Sequence, residues 1–202
     1  MITVVTPATG TDLTTLETVK TGLGITDDTD DDFLSLLIAQ ASAAVSGYCR
    51  RVFGLETVLE TFRLDSSQET LMLGRFPVTA VASIVEDGIT LTTDDWERDN
   101  SLLYRLTADE RQGWSARKVL VTYTAGYVLP GETDRTLPAD IEAATIAYIR
   151  GLWFAKTRDP LIKSEKTPDV YEVTYGGVSE ATGGILSEVE STLCRYRDVS
   201  PL

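Results

Sequence analysis

Apolar residues recur at helical spacing in two long segments of the chain. The first covers residues 29–53, where hydrophobic side chains recur every three or four positions from Phe33 to Val52. The second covers residues 137–157, with Pro138 in the first turn, a position that suits proline. Both patterns predict long helices. We expect the apolar faces of the two helices to pack against each other.

The period of the pattern changes to two between these segments. Residues 55–127 contain short alternating runs, and the run from Val119 to Ala125 is the most regular of them. Asp87-Gly88 separates two such runs, and this dipeptide is typical of a two-residue hairpin turn. The pattern therefore predicts an α+β fold: a mainly helical core, with an antiparallel β region inserted between its long helices.

The same pattern predicts three parts of the chain. We expect residues 1–54 and 128–160 to form the helical core and residues 55–127 to form the β insertion. Residues 161–202 are expected to form a short strand followed by a docking arm. A helix between Thr14 and Gly22 is also predicted at the start of the chain, where two residues have capping-box spacing.

The predicted docking arm is a short amphipathic helix after Gly183-Gly184. Its apolar residues share one helical face, and two arginines give it a local positive charge. The predicted partner-binding residues of the arm are Leu186, Val189, Leu193, Arg195, Tyr196 and Arg197. A helix this short needs a surface to order on. That surface is either a neighbouring component, such as a portal, or the helical core of the chain itself.

Trp114 is a further candidate for partner binding. It follows Gln112-Gly113 in a predicted turn, so we expect the indole to be exposed. Exposed tryptophans at loop tips often anchor protein contacts. A core position is the alternative, and stacking on a ligand is a third.

The charge balance limits the partners of the chain. Its 202 residues include 18 Lys and Arg against 31 Asp and Glu, and its net charge is −13. A surface that grips phosphates needs clustered basic residues. We therefore expect weak intrinsic affinity for DNA. The acidic surface is that of a soluble protein, or of a wall past which DNA slides.

Few residues are candidates for catalysis or metal binding. Histidine is absent, which excludes Ser–His and Cys–His nucleophilic systems. The acidic run 27–32 fails as an EF-hand, because Phe33 stands where that loop needs glycine. Its carboxylates suit the start of the long helix instead. Glu86-Asp87 and Asp94-Asp95 are expected to be solvated turn acids. We predict no catalytic, cofactor-binding or metal-binding residue, and hence not an enzyme.

Two further signals concern the cellular setting. Cys49 and Cys194 lie far apart and have no CxxC spacing, which favours reduced thiols in a cytosol. We see neither a signal peptide nor an apolar stretch long enough for a membrane helix. We expect the protein to fold in a cytoplasm and to have no membrane partner.

Several segments, taken in order, resemble the head–tail connector (adaptor) family of tailed phages and gene transfer agents. The resemblance extends over nearly the whole chain, and it is carried by the succession of segments more than by any single motif. The segments are LTTLETVKTGLGITDDTDDDFLSLLIAQASAAVSGYCRRVFG, RFPVTAVASI, VLVTYTAGY, LPADIEAATIAYIRGLWF, SEKTPDVYEVTYG and LSEVESTLCRYR. Thr167-Pro168 departs from the family, in which we expect a link that contains glycine.

The resemblance implies a structural subunit of the virion neck, assembled in the cytoplasm of a bacterial host. It implies a ring of identical copies beneath the portal, a dodecamer in the particle, through which DNA passes without specific binding. The implied partners are other copies of the chain, the portal protein, and a head-closure (stopper) or tail protein. No cofactor and no catalytic residue come with it.

Three alternatives stay open at this point. A head-closure or tail-completion protein is the nearest, although such proteins are shorter and dominated by β-structure. A small acidic hydrolase would need two carboxylates that converge in a cleft. A generic α+β binding module is the third.

Overall fold

The protein, represented here by a computed structural model, divides into two compact units. The β unit comprises residues 1–10 and 54–128, and the helical unit comprises residues 11–53 and 129–202. The residues that the structure describes are 1–155, 164–167, 171–174 and 187–198.

The β unit consists of two antiparallel sheets. One sheet has five strands in the order β1-β2-β9-β4-β5. In the other, strand β7 pairs with β3, β6 and β8. The strands are β1 Ile2–Thr6, β2 Glu56–Arg63, β3 Leu71–Met72, β4 Val78–Glu86, β5 Ile89–Thr90, β6 Trp96–Asp99, β7 Leu102–Thr107, β8 Glu110–Gln112 and β9 Lys118–Ala125.

Strand β9 lies at the centre of the five-stranded sheet. It pairs with β2 along all eight of its residues and with β4 from Val119 to Ala125. Its side chains alternate strictly, so that Val119, Val121 and Tyr123 are fully buried. This alternation is the period of two that the sequence shows, since successive side chains of a strand point to opposite faces.

One hydrophobic core joins the two sheets of the β unit. It brings Tyr123 of β9 together with Leu103 of β7, and with Trp114 between β8 and β9. Trp114 is 0% exposed, and its indole Nε1 donates to the Leu103 carbonyl at 3.2 Å. The expectation that Trp114 is exposed is therefore wrong. Its backbone pairs with that of Gln68, and this bridge turns the residue inward.

The Asp87-Gly88 turn confirms the hairpin predicted from the sequence. Glu86 pairs with Ile89 across a two-residue turn that joins β4 to β5. Both turn residues have positive φ, 45° at Asp87 and 93° at Gly88. Such values suit the tight turns that match the twist of antiparallel strands.

The helical unit is built on three helices that share a core. They are α1 Leu16–Leu23, α2 Asp31–Cys49 and α3 Ala139–Ala155. Their buried core residues are Val19, Leu34, Leu37, Ile38, Ala41 and Ile149. Phe33 of α2 and Trp153 of α3 add an aromatic contact with ring centroids 6.0 Å apart. The two long helices therefore pack against each other.

Local capping explains where the first helix begins and ends. The Thr15 hydroxyl accepts a hydrogen bond from the Thr18 N–H at 3.2 Å, so Thr15 is the N-cap of α1, one residue after the predicted start of the helix at Thr14. Gly24 ends the helix with a φ of 73°, a conformation that glycine adopts at little cost. The helical unit also contains the antiparallel strands β10 (Ser164–Thr167) and β11 (Tyr171–Thr174), and helix α4 (Ser187–Leu193).

The prediction of a mainly helical core is wrong. The described residues contain eleven strands and four helices, and two antiparallel sheets form a unit with a core of its own. Two features led to this error: the long helices give strong periodic signals, whereas β3, β5 and β8 are too short to show one. Strand β1, in the first ten residues, was not predicted at all.

The burial of Trp114 makes it a test of the β core. We expect Trp114→Ala to lower the free energy of unfolding by about 3–5 kcal/mol, because it leaves a large cavity. Trp114→Phe should cost about 1–3 kcal/mol, since the Leu103 carbonyl loses its donor. Urea denaturation measures both values.

Ile89→Ala is the matched control for this measurement. Ile89 is 71% exposed, and its loss should change the free energy of unfolding by no more than about 0.5 kcal/mol. A Trp114→Ala protein as stable as the control would contradict the buried position.

Candidate functional site

The candidate site is the C-terminal segment, residues 187–198, together with the surface of the helical unit on which it lies. Helix α4 is followed by a 3-10 turn at Cys194–Tyr196. Val189 is 3% exposed and Leu193 is fully buried. Helix α4 contacts α3 and α2, so its apolar side chains face the helical unit to which it belongs.

Asp140, in the first turn of α3, holds the end of the segment. The Tyr196 hydroxyl lies 2.8 Å from both carboxylate oxygens of Asp140. The Arg195 guanidinium contacts the same carboxylate at 3.3 Å. Asp140 also accepts the Ile141 N–H at 3.0 Å. One carboxylate thus accepts an N–H of the first turn of α3 and anchors the segment, and the positive end of the helix dipole favours its charge.

The end of α2 provides the second set of contacts. The Tyr48 hydroxyl donates to Glu190 at 3.3 Å, and the Arg197 guanidinium lies 5.5 Å from the centre of the Tyr48 ring. The Asp198 N–H donates to the Cys49 carbonyl at 2.8 Å. Burial, and then the nearby Glu190 carboxylate, raise the pKa of Tyr48, so the phenol stays protonated as a donor.

Cys49 lies beneath the segment. It is fully buried, and its thiol donates to the Leu193 carbonyl at 3.7 Å. Burial raises the pKa of the thiol from 9.0 to about 11, against the opposing charges of Arg51 and Arg197. Cys194 is exposed, and both cysteines are free thiols. Cys49 therefore reports whether the C-terminal segment is in place.

The structure separates the predicted partner-binding residues into different groups. Val189 and Leu193 face inward, and Tyr196 is bonded to Asp140. Arg195 and Arg197 are exposed. Leu186 lies outside the described residues. Trp114 is buried in the core of the β unit. Among the described members of the set, the arginines thus present their side chains to solvent.

A buried carboxylate that the sequence analysis missed fixes the start of α3. Glu142 is 6% exposed; it accepts the Thr14 hydroxyl at 3.1 Å and pairs with Arg135 at 2.6 Å. These contacts tie the residues before α1 and before α3 to one helical turn. The sequence contains part of this information. Glu142 falls on the apolar face of the predicted helix, and a buried charge at such a position needs a partner.

A second buried acid cluster lies in the β unit. Glu60 accepts the Tyr123 hydroxyl at 2.7 Å and the Gly74 N–H at 3.0 Å. Glu56 pairs with Arg75 at 2.8 Å. Burial and the Glu60 hydrogen bond raise the pKa of Tyr123 far above its ordinary value. The cluster holds the loop after β3 against β2 and β9.

The acidic run before α2 is occupied by structural contacts. The Lys20 ammonium lies 2.6 Å from Asp28 and 2.8 Å from Asp31, and these hydrogen bonds raise its pKa. Asp27 accepts the Thr29 N–H at 3.0 Å, which lowers the pKa of Asp27. This arrangement fits the helix-start role expected from the sequence.

The paired acids of the β unit also have structural partners. Asp95 accepts the backbone N–H and the hydroxyl of Thr92, which lowers its pKa and closes a capping box. Glu86 pairs with Arg105 at 3.0 Å. Asp87 accepts the Lys118 N–H at 2.9 Å and so fixes the hairpin turn to β9.

The described residues include neither a metal-ligand cluster nor a membrane-spanning helix. Within them, no group of three or more Cys, Asp or Glu side chains is arranged to hold a metal ion. None of the described helices is long and apolar enough to cross a membrane.

Comparison with known families identifies the chain. The model of the head completion protein family matches residues 12–158. The match covers most of the chain, and the protein therefore belongs to the head completion protein family. It is therefore a head completion protein by family. The resemblance to the head–tail connector (adaptor) family seen in the sequence is confirmed.

Solved structures share the fold. The neck of an empty gene transfer agent particle, computed with C6 symmetry, contains a chain that is 16% identical, with a TM-score of 0.56. The neck of a native gene transfer agent particle, computed with C12 symmetry, contains one that is 17% identical, with a TM-score of 0.55. Each match covers 100% of this chain and 97% of the other. Comparison with curated proteins gives no match.

The two cysteines provide a test of the seated C-terminal segment. At pH 8 a thiol with a pKa near 11 carries about 100-fold less thiolate than one at 9.0. Alkylation by iodoacetamide should modify the exposed Cys194 quickly and Cys49 much more slowly, because Cys49 is both buried and little ionised. Mass spectrometry of time points measures both rates.

Cys194→Ser is the control for this experiment, because it should remove the fast phase and leave the slow one. In urea, both thiols of the unchanged protein should react at similar rates. If Cys49 of the folded protein reacts as fast as Cys194, the segment does not cover it.

Proposed function

We propose that this chain is the repeating subunit of a ring in the virion neck, beneath the portal. The ring gives DNA a passage and gives a head-closure or tail protein a surface to attach to. The observation that carries the proposal is the family match over residues 12–158, joined to a fold likeness that covers the whole chain. The related neck structures were computed with C6 and C12 symmetry, which supports a ring of six or twelve copies.

We propose a structural role without catalysis. The acids that could run acid–base chemistry are engaged in folding: Asp95 caps a turn, Asp87 fixes a hairpin, and Glu86 holds Arg105. Glu60 and Glu142 are buried in hydrogen-bonded clusters. A general acid or base must reach a substrate proton, and groups so enclosed are poorly placed for it.

The net charge of −13 supports passage of DNA without retention. Phosphates gain affinity by displacing counterions with Lys and Arg. Several arginines of this chain are already paired with carboxylates, among them Arg75, Arg105 and Arg135. A channel surface of this composition would bind a moving DNA duplex weakly.

The exposed arginines of the C-terminal segment give the proposal a partner surface. Arg195 is 64% exposed at its side chain, Arg197 is exposed, and Arg50 is exposed at the end of α2 in the same unit. This local positive charge in an acidic protein suits an acidic rim on a neighbouring neck component, of which the portal is the first candidate. Val189 and Leu193 would support the segment from beneath and would not themselves touch the partner.

Charge reversal tests the partner surface. We expect Arg195→Glu together with Arg197→Glu to reduce incorporation of the chain into particles at least about tenfold, because each reversal turns attraction into repulsion. Quantitative mass spectrometry of purified particles measures copies per portal. Arg63→Glu, an exposed reversal in the β unit, is the matched control.

Three outcomes of this experiment distinguish the possible roles of the chain in the particle. Normal incorporation of the reversed chain would refute the arginine surface. A number of copies per portal that does not correspond to one ring would favour a head-closure or tail-completion role. A position away from the portal in a particle reconstruction would favour the same role. A chain absent from unmodified particles would refute the proposed function.

DNA affinity gives a second test. We expect the isolated protein to bind a 30-base-pair duplex with a Kd weaker than about 100 μM at physiological salt, the weak end of non-specific binding. Fluorescence anisotropy at several salt concentrations measures the Kd. Tight binding that weakens steeply with salt would contradict the proposed DNA passage.

A further inference from the structure

The five-stranded sheet of the β unit has two open edges. In the part of the chain that the structure describes, strand β1 forms one edge and pairs only with β2. At the other edge, β5 pairs with β4 only at Val85 and Glu86. Among the described residues, positions 79–83 of β4 therefore have no strand on their outer side. Backbone groups at an open edge are a template for a further strand.

The hydrogen-bond pattern of β1 shows which groups are free for pairing. Met1 and Thr61 exchange both backbone hydrogen bonds, at 3.0 and 2.8 Å. In an antiparallel ladder such pairs alternate with pairs that bond outward. Ile2 and Val4 therefore direct their N–H and C=O groups away from β2. The side chains of Val4 and Val5 are 45% and 57% exposed.

Both edges lack the charged side chains that normally protect an open strand. Residues 1–10 contain no charged side chain, and residues 76–85 contain none either. The whole chain carries a net charge of −13, so two copies repel each other over most of their surface. Contact between copies is least unfavourable at neutral surfaces. The neutral edges therefore suit a second copy of this chain better than a basic partner, which the acidic surfaces would attract.

The two edges also match each other. Strand β1 has five residues, as does the open stretch 79–83 of β4. The pairing of β4 with β9 shifts register twice, between Val78 and Ala80 and between Val81 and Ser83. Such bulges twist a strand and limit it to short partners. A ring of identical subunits needs two different patches that meet head to tail, and the two ends of one sheet provide them.

We propose that β1 of one copy adds to the outer edge of β4, residues 79–83, in the neighbouring copy, so that the sheet continues across the subunit boundary. This inference rests on the proposed ring function. The bonds that form are backbone hydrogen bonds of Ile2 and Val4, and Val5 lies at the bulge that follows them.

Amide exchange on the unchanged protein is the first test. The Val4 amide should exchange freely in the dilute subunit and at least about tenfold more slowly in the assembled ring, because it gains an acceptor there. The Thr3 amide already faces β2 and should change little. Hydrogen–deuterium exchange with residue-resolved mass spectrometry compares the two states, whose masses sedimentation velocity determines.

Val4→Pro is the second test. Proline removes the outward N–H of Val4 and no bond to β2, and edge strands tolerate it. We expect the subunit concentration at half assembly to rise at least about tenfold, while the unassembled variant keeps the thermal midpoint of the wild type. Val4→Thr keeps the amide and the branched shape, and should assemble normally.

Cysteine pairs determine which edges meet. In a Cys194→Ser background, oxidation of a chain with both Val4→Cys and Ala80→Cys should give a ladder of covalent multimers. Each single variant should stay monomeric on a denaturing gel. Ala82→Cys in place of Ala80→Cys tests the neighbouring register.

The outcomes separate this inference from the ring itself. Rings that form while the Val4 amide stays unprotected, or that tolerate Val4→Pro, overturn strand addition and leave the ring intact. A covalent dimer from Val4→Cys alone shows β1 paired with β1 and overturns the head-to-tail contact. A chain that never self-associates, alone or in particles, overturns both proposals.

Discussion

The pairing of β9 with two neighbours at once is the constraint on which the β unit depends. Each residue from Val119 to Ala125 is held by β2 on one side and β4 on the other. A slip of one residue would move Val121 and Tyr123 from the core to the opposite face of the sheet. It would also break the bond from the Tyr123 hydroxyl to Glu60. Apolar burial and a buried polar contact therefore select the same register.

Buried carboxylates extend this constraint to the loops. Glu56 and Glu60 occupy inward-facing positions of β2 that an apolar residue could fill. A buried carboxylate is costly unless it is hydrogen-bonded, so each one requires a fixed set of donors. The donors are Tyr123 of β9 and the backbone and side-chain groups of Gly74 and Arg75. The loop after β3 is thereby attached to the centre of the sheet and does not move independently of it.

How much the sequence could predict depends on the range of the interactions involved. Periodicity located α2, α3 and β9, because an amphipathic pattern is a local property of ten or more residues. The Asp87-Gly88 hairpin was predicted because its turn chemistry is equally local. Trp114 was misplaced because its burial depends on Gln68 and Leu103, which are distant in sequence.

The C-terminal segment shows the same limit at the candidate site. Its apolar spacing was visible, but the surface that covers Val189 and Leu193 could not be derived from spacing. Two surfaces were therefore open, a neighbouring component and the chain itself. The structure seats the segment on the chain's own helices, where Asp140 and Tyr48 provide its polar contacts.

The first turn of α3 links these long-range contacts within the helical unit. Carboxylates are favoured there because the positive end of the helix dipole stabilises them. Asp140 and Glu142 satisfy this local preference, and each then binds a segment distant in sequence. Asp140 holds Tyr196 and Arg195 of the C-terminal segment, while Glu142 holds Thr14 before α1. A fray of this single turn would release both contacts together, so the ends of the described helical unit are coupled through the start of one helix. The charge that begins α3 thus also contributes to keeping the C-terminal segment in place, beside the contacts from α2.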